Sequence, residues 1–162
     1  MLKMKKNNLW LLIGIILGAI LILLISNNLS LKPSNKFSGI KAKVYYQENC
    51  GCCKEYIDYL RRNGFNIETQ VMSLEELDRN KKELKIPESL YACHTVLIGD
   101  YFIEGHIPIE AIQKLLTEKP DINGIALPGM PSGSPGMPGF KIYPFKIHSV
   151  KNGEDKGIFM EI

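Results

Sequence analysis

No run of five or more like charges occurs in the 162 residues, and 20 basic against 17 acidic side chains leave a formal net charge of only +3. An even mixture of this kind argues against nucleic acid as a partner, because phosphate recognition needs a clustered basic face. No internal repeat is present, which excludes a stacked solenoid. Tryptophan occurs once, histidine three times and cysteine four times. Such scarcity makes the positions of the cysteines and histidines informative. The 45% hydrophobic share is that of an ordinary globular chain, and the length suffices for one domain and little more.

Charge is also missing from Leu9 to Ile25, an unbroken apolar run preceded by Lys3, Lys5 and Lys6. As a helix it would reach about 26 Å, close to the roughly 30 Å of a bilayer core. Trp10 stands at its edge, where an indole can rest among headgroups, and the lysines hold the N-terminus cytoplasmic by the positive-inside rule. No small-x-small cleavage pattern follows, and no cysteine stands there for lipid attachment. The sequence therefore predicts an uncleaved signal anchor and transmembrane helix over residues 1–26 and a linker over 27–39. The folded domain over 40–162 would lie outside the cytoplasm, in a periplasm or on the outer face of the membrane. Cleavage of the anchor would place it there too.

Within that domain the apolar periodicity predicts an order. A strand at Lys41–Tyr46 precedes a helix carrying Tyr56, Ile57 and Leu60, stopped by Gly64. A second strand spans Phe65–Met72, and Ser73 with Glu76 forms a capping-box pair opening a second helix. A short turn or helix follows Pro87. The strands Thr95–Gly99 and Tyr101–Glu104 form a hairpin, and Pro108 opens a helix through Leu116. Strand, helix, strand, helix, strand, strand, helix is the thioredoxin-like order: an α/β fold with a central sheet flanked by helices. Leu127–Phe140, rich in Gly, Pro and Met, is predicted to be irregular, and Lys141–Val150 with Gly157–Ile162 to be a terminal hairpin turning at Asn152-Gly153.

Cys50, Cys52 and Cys53 fall within four positions, between a strand and a helix. A helix N-terminus offers free N–H groups and partial positive charge, which stabilise thiolates, and Lys54 adds to that field. In the predicted topology the loop before the third strand returns to this place, carrying Cys93 and His94. Four thiols and an imidazole exceed what a redox pair requires. A lone zinc ion favours paired C-x₂-C ligands, whereas a crowded triplet suits sulfurs that bridge ions, and soft sulfur selects Cu(I). Copper, plain thiol chemistry through Cys50 and Cys53, and zinc all stay open on the residues alone, with copper preferred. The bland reading of a cysteine, a small buried hydrophobe, fits a triplet poorly and Cys93 better. His106 is a candidate outer ligand and equally a candidate helix cap. Met130 and Met137 are candidate thioether ligands, though methionine in a loop more often serves packing.

The segments Cys50-Gly51-Cys52-Cys53, Ala92-Cys93-His94-Thr95, Glu104-Gly105-His106-Ile107-Pro108 and Gly129-Met130-Pro131-Ser132-Gly133-Ser134-Pro135-Gly136-Met137 stand here in a characteristic order. In this the chain resembles the CopG-like periplasmic copper-resistance proteins, a group long carried as a domain of unknown function. The resemblance spans about residues 42–145. It implies a thioredoxin-like fold and a thiolate-bridged, polynuclear copper site. It carries over Cys50, Cys52, Cys53 and Cys93 as ligands, and His94 and His106 as weaker ones. One departure is the N-terminal tether, since many relatives look exported and soluble.

Three functions follow as expectations. The first is extracytoplasmic copper handling, with cycling between Cu(I) and Cu(II), in a metal-binding protein rather than a conventional enzyme. The second is a thiol–disulfide oxidoreductase using Cys50 as nucleophile and Cys53 as resolving thiol. The third is a structural zinc module. The copper count, redox partner and oligomeric state are not written in the sequence.

Overall fold

The computed structural model describes residues 14–21 and 37–162. The chain divides into two compact units, Met1–Lys32 and Pro33–Ile162. In the first, residues 14–21 are helical. The remainder of the expected membrane span and most of the expected linker lie outside the described residues. Among the described residues no helix is long and apolar enough to cross a membrane.

The second unit is a mixed α/β structure around one seven-stranded sheet. Its strands are β1 (Lys41–Tyr46), β2 (Asn66–Val71), β3 (His94–Ile98), β4 (Tyr101–Glu104), β5 (Gly124–Ala126), β6 (Lys146–Lys151) and β7 (Glu154–Glu161). Its helices are α1 (Gly51–Arg62), α2 (Leu74–Glu83) and α3 (Ile109–Glu118), with a 3₁₀ turn at Glu88–Leu90. The sheet runs in the order β2-β1-β3-β4-β5-β6-β7. β1 pairs parallel with β2 through the α1 crossover, and β4 pairs parallel with β5 through α3; the other pairings are antiparallel.

The helices form where the sequence places their signals. Cys50 caps α1, its Sγ accepting from the Cys53 N–H at 3.3 Å, and Arg61 and Arg62 sit in the last turn, where cations complement the helix dipole. Cys53, Tyr56, Ile57 and Leu60 make the buried stripe. Ser73 and Glu76 close a capping box on α2, with bonds of 3.2 and 2.8 Å. Pro108 stands immediately before α3 rather than inside it, and Lys119 ends that helix in the left-handed region at φ 48°.

Alternation along the strands sorts side chains onto two faces. Val44, Val96, Ile98, Ile103, Ile125 and Ile147 pack with α1 and α3. Leu97, Phe102, Ala126 and Val150 face the other way, onto Ile86 and Leu90 beside the 3₁₀ turn. The first face is covered by α1 and α3, and the second by the segment through Ile86 and the 3₁₀ turn.

Three details correct that order. β5 has only three residues, Gly-Ile-Ala, and carries too little pattern to be seen in advance. The strand expected over Lys141–Val150 begins only at Lys146, because Phe140, Ile142 and Tyr143 are exposed outside the sheet. Its partner starts earlier than expected, at Glu154. Between them Asn152 and Gly153 both take positive φ, 54° and 84°, as a type I′ hairpin turn demands.

Candidate metal and redox centre

The sheet register builds the site. β1 and β3 are antiparallel with Tyr46 opposite His94, so Cys93, one residue before β3, lies beside the end of β1 from which the chain turns into α1. β3 and β4 pair with Thr95 opposite Glu104, which brings His106 alongside, and the Gly105 N–H donates to the His94 carbonyl at 3.1 Å. The N-terminus of α1, the entry to β3 and the exit of β4 thus meet at one edge of the core.

Six sequence-predicted side chains gather there. The sulfurs of Cys50, Cys52, Cys53 and Cys93 lie within 4.8 Å of one another, as do the ligand atoms of Cys93, His94 and His106. Cys52 Sγ stands 3.5 Å from Cys50 Sγ and 3.8 Å from Cys93 Sγ. Cys93 Sγ is 3.1 Å from His106 Nε2 and 3.3 Å from His94 Nδ1. Cys50 and Cys53 are joined in a disulfide, so two of the four sulfurs are oxidised in this structure. Cys50 heads the helix and Cys53 lies one turn on, which faces the two toward each other with Cα atoms 5.3 Å apart. Cys52 and Cys93 are free thiols.

His106 does not cap α3, one of the two roles expected of it. It is buried, and its Nδ1 donates to the Pro135 carbonyl at 2.7 Å. A carbonyl only accepts, so the proton resides on Nδ1 and the Nε2 lone pair faces Cys93. His94 is wholly buried, its ring 4.6 Å from Tyr56, and its Nε2 has no hydrogen-bond partner. Burial pushes the His94 pKa well below its ordinary value, helped by His106 and Lys81, and burial likewise lowers His106. Both imidazoles are neutral at physiological pH, the form in which they bind metal. Burial, then the neighbouring Cys52, pushes the Cys93 thiol up to about 12.

The Gly-Pro-Met segment lies across the site. Gly136 adopts φ 81°, and a Cβ there would stand 2.8 Å from Tyr56 N and 2.9 Å from Cys52 O, so only glycine allows this approach to the first turn of α1. Ser134, buried, donates to the Pro131 carbonyl at 2.7 Å and tightens the turn. Met130 is exposed and Met137 half-buried. Pro135 acts through its backbone and leaves no mark in the sequence beyond the glycine beside it.

A family model described as a protein of unknown function, DUF411, matches residues 90–137, the stretch from just before Cys93 to the Gly-Pro-Met segment. No curated protein matches. Two solved structures of a copper resistance protein, CopG, are similar. Form 1 is 36% identical, with a TM-score of 0.68 over 76% of this chain and 97% of the other. Form 2 is also 36% identical, with a TM-score of 0.67 over 76% and 98%.

The neutral, buried histidines set a pH dependence. Their folded-state pKa values lie below the ordinary 6.5. As pH falls through about 6.5 the unfolded chain therefore takes up protons that the folded chain refuses, and stability falls. Thermal midpoints of the metal-free protein should drop between pH 7.5 and pH 5.5, and His106→Gln should flatten that slope. An identical slope in the variant would show that His106 is protonated as readily folded as unfolded.

Proposed function

The chain belongs to the CopG family of copper-resistance proteins, and from that premise we propose that it binds copper outside the cytoplasm through Cys50, Cys52, Cys53, Cys93, His94 and His106. The carrying observation is the convergence of four sulfurs and two neutral imidazoles at one end of the sheet. The donor set fits the ion: thiolate sulfur selects Cu(I), imidazole suits copper in either state, and no hard carboxylate belongs to the cluster. His106 offers a lone pair fixed in place by Pro135, an orienting hydrogen bond of the kind metal-ligating histidines use. His94 Nε2, buried without a partner, is an acceptor or donor still unused. Met130 and Met137 remain candidate additional thioether ligands.

We take the frame to be a thioredoxin-like unit, β1 to β4 with α1 to α3, extended by β5 to β7. The strand order β2-β1-β3-β4 supports this. The disulfide gives the site a redox dimension. Closing Cys50–Cys53 from two thiols releases two electrons and two protons, and two electrons reduce two Cu(II) to two Cu(I). The reduced site would thus convert as well as bind. Titration of anaerobic, fully reduced protein should show more than one equivalent of Cu(I) bound, with fewer in Cys52→Ser. Closing the disulfide with a thiol oxidant should reduce binding further. A reduced protein that binds no copper ends this reading.

The same disulfide favours one rival, a thiol–disulfide oxidoreductase in which Cys50 attacks and Cys53 resolves. That reading expects disulfide-exchange activity in metal-free protein, undiminished by Cys52→Ser or Cys93→Ser. Activity that vanishes with either substitution, or never appears, removes it.

We place the domain on the outer face of a membrane, tethered by the Leu9–Ile25 run. Support comes from the run's length and its flanking lysines. In intact spheroplasts, added protease should digest residues 40–162, and the chain should resist extraction at high pH. Full protection from the protease would overturn the orientation.

A further inference from the structure

Outside the proposed ligands, one buried charged cluster has no part in the function described so far. Lys81 from α2 and Glu104 from β4 form an ion pair at 2.5 Å, with side chains 4% and 0% exposed. Burying both charges is costly, and replacing such a pair by apolar residues is often neutral or stabilising. Stability alone gives little reason for the pair to be here. Its other bonds suggest one. Glu104 Oε1 also accepts from the Ala92 N–H at 2.6 Å, and Oε2 accepts from the Thr95 hydroxyl at 2.6 Å. Lys81 Nζ donates as well to the Ala92 carbonyl. Ala92 and Thr95 are the residues on either side of Cys93-His94. One carboxylate therefore grips both ends of the dipeptide that carries a thiol and an imidazole into the site. Gly105 closes the remaining side: it adopts φ 81°, and a Cβ there would meet Ala92 Cβ at 2.8 Å.

We propose that Lys81, Glu104 and Thr95 are positioning residues that hold Cys93 against the triplet and so set the copper affinity of the site. This deepens the copper reading and rests on it. The physical reason is that Cys93 precedes β3, where the ladder no longer fixes the backbone. A bond at each end of the dipeptide supplies the missing constraint. Outer groups that orient ligands in this way change metal affinity by about 10–100-fold when removed.

The test uses the full chain. With the Cys50–Cys53 disulfide closed and no metal, Cys52 and Cys93 are the two free thiols. A bifunctional bimane, fluorescent only after both ends have alkylated, then bridges them. Thr95→Val should slow bridging several-fold without slowing single alkylation of Cys52, and Thr95→Ser should restore it. In reduced protein, Cu(I) affinity measured against a competing chelator should fall about 10–100-fold in Thr95→Val and in the double variant Lys81→Met/Glu104→Gln. Thr95→Val should have no further effect in a Cys93→Ser background, as coupling through one residue requires. Should the double variant not fold, Thr95→Val alone decides. Wild-type bridging in folded Thr95→Val overturns the proposal, as does an equal affinity loss in the Cys93→Ser background. A wild-type protein that binds no Cu(I) would sink the copper reading, while the bridging rates would still judge the positioning role.

Discussion

Antiparallel pairing of β1 with β3, with Tyr46 opposite His94, is the constraint on which the site depends. The chain leaves β1 and turns through Asn49 and Cys50 into α1, and it enters β3 through Cys93 and His94. Antiparallel strands put the end of one beside the start of the other, so this pairing alone carries Cys93 across about forty residues of chain. A shift by one residue would reverse which side chains of β3 face α1. It would turn His94, Val96 and Ile98 away from the core they share with Tyr56. The register of the core and the geometry of the cysteines are therefore one fact, and the hydrophobic burial that fixes the first also fixes the second.

The site is built in layers that differ in rigidity. α1 supplies Cys50, Cys52 and Cys53 from its capping residue and first turn, where local geometry sets the sulfurs and brings Cys50 and Cys53 into a disulfide. The entry to β3 and the exit of β4 supply Cys93, His94 and His106, beside the Lys81–Glu104 pair. The Gly-Pro-Met segment closes over them, fixing the tautomer of His106 through the Pro135 carbonyl. Three separate parts of the chain thus converge on one sulfur, that of Cys93. Its thiol holds its proton tightly because it is buried beside Cys52. An ion binding there must displace that proton, which couples affinity to pH.

On the proposed copper reading, the disulfide makes binding and oxidation alternatives. Closed, it withdraws two sulfurs from metal ligation and leaves Cys52 and Cys93; open, it offers all four. In the proposed copper site this would tie the redox state of the thiols to the ion held there. Cys52 and Cys53, by contrast, are adjacent and project differently from the helix, so a bridge between them would be strained.

Local signals determined much of this protein directly. The capping box at Ser73–Glu76, the apolar stripe of α1, the Asn152-Gly153 turn and the cysteine triplet at a helix start are written in neighbouring residues, because each depends on backbone geometry over a single turn. The element order followed from these, and from it the return of Cys93 to the triplet. Tertiary structure decided what depends on groups far apart in the chain. It placed Lys81 against Glu104, since nothing in an amphipathic helix marks which lysine will be buried. It gave β5 a place in the sheet that three small or apolar residues could not claim alone. It aimed the Pro135 carbonyl at His106, because a backbone oxygen has no residue type by which to be recognised. It also buried His94 and His106 as neutral bases, since desolvation is set by what packs around a side chain and not by the residues beside it.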